Sequence, residues 1–325
     1  MSISSNGSYI PTMDGFLGHW ELCNNALGAT PLKVAKPGGP ITTRAQFDTL
    51  RGTLVNNQTA VQAKLNLQQI ARGTININKA ALLVTLNLFI AKLDAYYQGT
   101  AFYNAKPFAP GIGEGQENFT RPLVDAMTLW ELINGGAPPE GVTLPLVLSN
   151  GMDQGTFSSG VSGLQFNYQA EQAASKKVEV ARADRNITQE KAYDLMKAYR
   201  LAVPSECSQF PNLLATIPKL TPDAGHTPDA VNASATYVAP STSHVVHAAS
   251  TDADVAYYDL EGTNGDEWDA DDAVHLGRHY PNAANEFTVA FGLTQAGTSV
   301  ALKVFVVLTT GNRAGSATML VQRPA

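Results

Sequence analysis

Nine carboxylates fall within 21 residues of this chain: Asp252, Asp254, Asp259, Glu261, Asp266, Glu267, Asp269, Asp271 and Asp272. Oxygen ligands crowded on a loop are what Ca²⁺ takes. The DxDxDG order of the common calcium loop is absent. The stretch therefore reads first as a solvated acidic loop, which also discourages edge-to-edge strand pairing. The alternative is a weak calcium site made by Asp266, Asp269, Asp271 and Asp272, and calcium is the one cofactor the sequence suggests. Trp268, among these residues, and Tyr280, after them, are the side chains expected to touch a ligand presented to the loops.

Other groups with chemical potential do not converge. His275 and His279 are four apart. On a helix they would share a face and could hold Zn²⁺, whereas in a strand they would lie roughly 13 Å apart, too far for one metal. His244 and His247, three apart in a strand, point to opposite faces. Ser162 in Gly160-Val161-Ser162-Gly163 misses the GxSxG elbow by one residue. Cys207 and His226 share only a proline-rich stretch. Gly111, Gly113 and Gly115 are not preceded by a strand or followed by GK[ST], so they do not form a phosphate loop. Cys23 and Cys207 are the only cysteines. They read as two reduced thiols, with a single bridge between them as the alternative. No catalytic constellation emerges, and the expectation is a protein that is not an enzyme.

The elements that would position these groups begin with Arg44–Tyr97. Phe47, Leu50, Leu54, Val61 and Leu65 form one apolar stripe, and Leu82, Leu86, Phe89, Ile90, Leu93 and Tyr97 form a second. Gly73 is placed to end the first helix, and Asn76 or Asn78 to cap the second. The spacing thus predicts an antiparallel hairpin over 44–97. Residues 164–203 repeat the layout with a break at Asp184–Thr188, predicting a second hairpin and, together, a four-helix bundle. Further helices are expected at 14–27 and 120–134. Residues 204–229 carry Pro204, Pro211, Pro218, Pro222 and Pro228 and read as a stiff joint.

From residue 230 the period changes to two. Candidate strands are Ala233–Val238, Ser243–Ala248, Ala256–Gly262, Glu286–Gly292, Ser299–Thr309 and Ser316–Gln322, a β-sandwich over 230–325. The run from Phe305 to Val321, with Asn312, Gly315 and Ser316 at its turn, resembles the last hairpin of a fibronectin type III-like, or more broadly immunoglobulin-like, domain. Tyr257 and Tyr258 would take the central-strand aromatic position. The early Trp of that family is missing, and Trp268 falls in the acidic loop instead. The resemblance implies a binding or spacer module. The fold class is therefore a helical bundle domain over 1–203 followed by an immunoglobulin- or fibronectin III-like sandwich.

The chain has 325 residues, 44% of them hydrophobic and only 15% charged, with net charge −6. Residues 1–203 carry 17 basic and 15 acidic side chains, and residues 204–325 carry 5 and 13. That acidic bias argues against nucleic acid as a partner. No run of 18 apolar residues offers a membrane span. The first residues have no signal-peptide pattern, so a cytoplasmic location is expected, with signal-independent export as a further route. These observations point to a structural or interaction protein that self-associates or joins a larger assembly. The alternative is a soluble binder of a glycan or peptide through the sandwich loops.

Overall fold

The computed structural model describes residues 3, 5–35, 39–222 and 224–324. The chain is helical in its first part and antiparallel β in its last. The helices are α1 (Tyr9–Leu27), α2 (Arg44–Tyr96), α3 (Ala101–Asn104), α4 (Gln116–Asn134), α5 (Gln154–Glu206) and α6 (Pro211–Ala215). A short ribbon, β1 (Val34–Ala35) with β2 (Ile41–Thr42), precedes α2. The fold forms two compact units, Met1–Leu67 with Lys176–Ala325, and Gln68–Ser175.

Neither expected hairpin forms. Residues 44–96 are a single helix of 53 residues, and residues 154–206 are another of the same length. Gly73 does not have a positive φ, so it neither turns the chain nor caps a helix. The reason is a seven-residue repeat that passes straight through the expected break. Phe47, Leu54, Val61, Gln68, Ile75, Leu82 and Phe89 are seven apart and all buried. In α5 the same spacing links Phe157, Leu164, Glu171, Val178, Arg185, Ala192 and Tyr199, all buried but Glu171, which is about four-fifths covered. A second α5 row runs Val161, Tyr168, Ser175, Arg182, Gln189, Met196 and Val203. Sustained heptads describe helices packed side by side, not turns. The middle heptad positions are polar, which interrupts the apolar stripe without interrupting the helix.

In the unit Gln68–Ser175, Ile75, Leu82, Leu86, Phe89 and Leu93 of α2 pack with Phe119, Leu123, Trp130 and Ile133 of α4 and with Phe157, Val161 and Leu164 of α5. Phe89 stacks on Trp130 at 4.8 Å, and the Trp130 indole donates to the Leu146 carbonyl at 3.1 Å. Glu171 accepts from Gln68 (3.3 Å) and Arg72 (3.0 Å), which satisfies the polar heptad positions. α4 starts earlier than residue 120, at Gln116. One 18-residue window of α2 has mean hydropathy 1.4, long and apolar enough to pass for a membrane span by length and composition. A third of the window is buried in the protein, and Leu82, Leu86, Phe89 and Leu93 of the same helix are core residues.

The other unit has two apolar cores. One joins Met13, Phe16, Leu17, Trp20 and Cys23 of α1 to Phe47 and Leu54 of α2 and to Ala192, Met196, Tyr199 and Val203 of α5. Its centre is aromatic, with Trp20 and Phe16 at 4.9 and 5.6 Å from Tyr199. α1 begins at Tyr9 rather than 14, because Thr12 and Met13 are already buried there. Phe210, Leu213, Leu214 and Ile217 of the proline-rich segment pack against this core.

The second core belongs to the strands β3 (Ala233–Val238), β4 (Thr242–His247), β5 (Val255–Asn264), β6 (Val274–His279), β7 (Glu286–Val289), β8 (Ser299–Leu308), β9 (Arg313–Gly315) and β10 (Met319–Gln322). One antiparallel sheet has the order β3-β4-β7, and the other has β10-β8-β5-β6 with β9 also on β8. Val245 and Phe287 of the first sheet meet Tyr258, Leu260, Leu302, Val304, Val306, Leu308, Met319 and Val321 of the second in one cluster, as in a two-layer sandwich. Ser316 does not open the final strand. It lies between β9 and β10, where its hydroxyl accepts from Val304 N at 3.1 Å.

The continuous helix through Gly73 has a direct test. A Cβ at Gly73 meets nothing within 4 Å. Gly73→Ala is expected to stabilise the protein by about 0.5–1 kcal/mol. Denaturant unfolding measures this, and a loss of stability would instead indicate a turn at that residue.

Candidate functional site

The residues with the strongest electrostatics meet where the loop after β5 lies against α2 and α5, within one unit. Asp269 to Asp272 form a tight turn in which Asp272 N donates to the Asp269 carbonyl at 3.2 Å and Asp271 N to the Asp269 carboxylate at 2.9 Å. The turn drives the Asp272 carboxylate into the α5 surface, where it is 1% exposed. Arg182 Nε donates to both its oxygens at 3.0 Å, and Arg185 Nη1 to Oδ1 at 3.1 Å. Arg185 is itself 3% exposed and also donates to the Asp271 carbonyl. Arg182 spans to Asp269 as well, at 3.1 Å. Arg182 and Arg185 are three residues apart, one on each of the two inward α5 rows, so the inner face of α5 presents both guanidinium groups together.

α2 and the first residues of the chain complete the seam. Gln62 donates to the Asp272 carbonyl (2.7 Å) and accepts from Asn264 N (3.3 Å), while Asn264 Nδ2 donates to the Gln62 carbonyl (3.2 Å). Asn6 donates to the Asp271 carbonyl at 2.8 Å, and Ser5 to Glu261 at 3.3 Å. Glu261 is buried and paired with Arg313. Asp259, next on the same face of β5, is held by Arg278 at 2.6 Å and His275 at 3.2 Å. Those partners keep the Asp259 carboxyl below its ordinary pKa, against the burial that would raise it.

The four expected calcium ligands are not brought together. Asp266 is exposed, Asp269 and Asp272 are paired with arginine, and Asp271 is tied through its backbone. Trp268 lies on Phe305 (6.0 Å) with the Lys303 ammonium over its ring, whereas Tyr280 stands exposed at the end of β6. His275 and His279 share β6 but not a metal site. Ser162 is exposed on α5. Lys79 donates to the carbonyls of Ile112 and Glu114, so the glycine-rich loop points carbonyls inward at a cation. Sequence reasoning missed Arg182, Arg185 and Gln62. For the two arginines the signal was the seven-residue register shared with the flanking apolar positions; Gln62 lies one residue off the α2 register and carried no such signal.

Three further clusters stand out. Among the described residues, His226, Asp252 and Asp254 bring one ligand atom each within 4.8 Å of one another. His226 Nε2 lies 3.0 Å from Asp252, which raises the His226 pKa and lowers that of Asp252. Both cysteines are free and buried. Tyr199 donates to Cys23 Sγ at 3.4 Å and lies 2.6 Å from His19 Nδ1, and burial raises the Cys207 pKa to about 11. His247 of β4 and His279 of β6 join the two sheets of the sandwich, Nε2 to Nε2 at 2.7 Å, with rings stacked at 4.8 Å. His247 Nδ1 lies 2.7 Å from the Ala248 carbonyl. Burial first, and the neighbouring His279 second, lower the His247 pKa.

No family model matches the chain, and no curated protein matches it. Among solved structures it is similar to pectate lyase PelI from Erwinia chrysanthemi in complex with tetragalacturonic acid. The identity is 13% over 28% of each chain, with a TM-score of 0.24. It is also similar to a structure described as a myokine, at 11% identity over 30% of this chain and 100% of that one (TM-score 0.25). A third is titin kinase with its flanking domains, at 15% identity over 30% and 17% (TM-score 0.23). The chain spans 28% of the length of the pectate lyase and 17% of the titin chain. Scores this low carry no argument about activity.

Two outcomes follow from the site. Asp272→Ala leaves the Arg185 guanidinium buried without its carboxylate and is expected to cost about 3–5 kcal/mol. Asp266→Ala, on the exposed side of the same loop, should change stability by less than about 0.5 kcal/mol. Denaturant titration of both variants separates a docking carboxylate from a merely acidic surface. The histidine pair sets a pH dependence. A depressed imidazole pKa favours the neutral form in the fold, so this stability is fully present above about pH 6.5 and is lost as pH falls below it. Thermal unfolding between pH 8 and 5 should show a falling midpoint, and His247→Gln should flatten that slope.

Proposed function

We propose that this chain is a non-catalytic structural or interaction protein that associates with further copies of itself through its long helices. The observation that carries the reading is a third, outward heptad row on α5. Phe166, Val180, Ile187 and Leu201 fall on one seven-residue register, with Ala173 and Asp194 at the intervening positions, and are 68%, 62%, 51% and 78% exposed. The register lies opposite the buried heptad positions. On α2, Ile77 and Val84 hold the corresponding outward register and are also exposed. An outward apolar seam of this length is what a helix buries against another helix. The low charge of the chain fits a surface used for packing.

The C-terminal module is best read as fibronectin type III-like. In immunoglobulin-like lettering, β3, β4 and β7 correspond to strands A, B and E of one sheet. The other sheet, β10-β8-β5-β6, corresponds to G, F, C and C′. A C′ strand beside C and, among the described residues, no fourth strand beside E support this reading. Tyr258 holds the buried aromatic position on strand C. In this reading the module is a spacer or binding head and not a catalytic domain.

The test is the assembly state. Light scattering on a sizing column, with electron microscopy of the same fraction, is expected to show an oligomer. Val180→Glu with Ile187→Glu should shift it to a particle of 34.5 kDa without loss of helical circular dichroism. A wild-type monomer at micromolar concentration would overturn the reading and favour the second one, a soluble binder acting through the sandwich loops around Trp268 and Tyr280.

A further inference from the structure

Asp259, Glu261, Asp269 and Asp272 each have an arginine partner. Asp252 and Asp254, just before β5, face a histidine instead. His226 of the proline-rich segment places Nε2 3.0 Å from Asp252 Oδ1 and 3.8 Å from Asp254 Oδ1. The three side chains bring one ligand atom each within 4.8 Å of one another. All three residues belong to one compact unit. A guanidinium keeps its charge permanently, whereas an imidazole can release its proton and bind a metal through the same nitrogen.

The donors are held from behind. Asp252 turns Oδ1 to the histidine because its Oδ2 accepts from Ser250 Oγ and from Asp229 N, both at 3.2 Å. Ser250 is fixed in turn by its backbone N–H, which donates to the Tyr258 hydroxyl at 2.8 Å. The Asp254 carbonyl accepts from Thr309 N at 2.9 Å. Gly225, beside His226, packs so closely that a Cβ there would lie 3.1 Å from side-chain atoms of Thr310 and Asn312. The histidine and the second aspartate are thus both anchored at the turn between β8 and β9. Outer hydrogen bonds of this kind orient ligating carboxylates. Tetrahedral zinc, with bonds of about 2.0–2.1 Å, spaces its ligand atoms roughly 3.3 Å apart. The two histidine–carboxylate distances bracket that value. His226 is 58% exposed, so an ion enters from solvent and water completes its coordination.

We propose that His226, Asp252 and Asp254 form a site for one divalent transition-metal ion of the zinc type. One imidazole with two carboxylates favours Zn²⁺ or Co²⁺ over Ca²⁺, which takes a larger set of oxygen ligands. The ion takes the place of the His226 proton, which passes to solvent, and ties the proline-rich segment to the start of β5. The site is separate from the outer helix faces and does not depend on self-association.

The experiment is calorimetric titration of the full chain, freed of metal by a chelator and dialysed, with zinc, cobalt and calcium chloride. Zinc is expected to bind at one ion per chain with Kd below about 100 μM, more tightly than calcium, and to raise the thermal midpoint. His226→Ala and Asp254→Asn should each weaken zinc binding at least about tenfold and remove that rise, with the circular dichroism of the metal-free chain unchanged. His279→Gln and Asp266→Asn, outside the cluster, should bind zinc as the wild type does. Absence of zinc binding, calcium binding as tight as zinc, undiminished binding by His226→Ala, or loss of binding in His279→Gln or Asp266→Asn would each overturn the proposal.

Discussion

The contact on which this arrangement depends is the carboxylate of Asp272 between the guanidinium groups of Arg182 and Arg185. A charge with 1% exposure is costly to desolvate, and only an arrangement that replaces most of its water contacts with donors can hold it. Two arginines supply them, from positions that the α5 heptad sets side by side. That one requirement fixes the rotation of α5 relative to the acidic loop, and Gln62 and Asn264 then fix α2 against the end of β5. The sandwich is tied to the helices by these groups, while Asn6 and Ser5 bring the start of the chain to the same face.

Polar residues at inward heptad positions explain why the sequence was only partly legible. The strands with clean alternation could be read directly. Ala233–Val238 is a strand over those residues, and Leu302, Val304, Val306 and Leu308 share the buried face of β8. β6 was not read, because its outward side chains are His275 and Arg278, which serve Asp259 rather than an apolar core. The helices failed in a related way. A search for apolar stripes stops where Gln68, Arg72, Glu171, Arg182 and Arg185 begin, and nearby Gly73 and Asn76 supply plausible caps. A search for the interval of seven would have continued through them.

The acidic loop shows why composition alone cannot assign a site. Nine carboxylates in 21 residues suggested a cation ligand set. The protein does supply cations to several of them, but they are arginines: Arg182 and Arg185 for Asp269 and Asp272, Arg278 for Asp259, Arg313 for Glu261. Three of these partners lie far from the loop in sequence, so no local motif could have revealed them.

The docking of Asp272 on α5 bears on how such a chain can be rearranged by recombination. A β-sandwich with its own core is ordinarily a transferable part, because a cut in the linker leaves both sides whole. Here a cut in the proline-rich segment would separate Asp272 and Glu261 from Arg182, Arg185, Ser5 and Asn6, and would leave Asp272 on one piece and the two arginines on the other without each other. The heritable building block is thus the sandwich together with the helical surface that receives it, and shuffling the β domain alone would carry only half of a charge-matched pair.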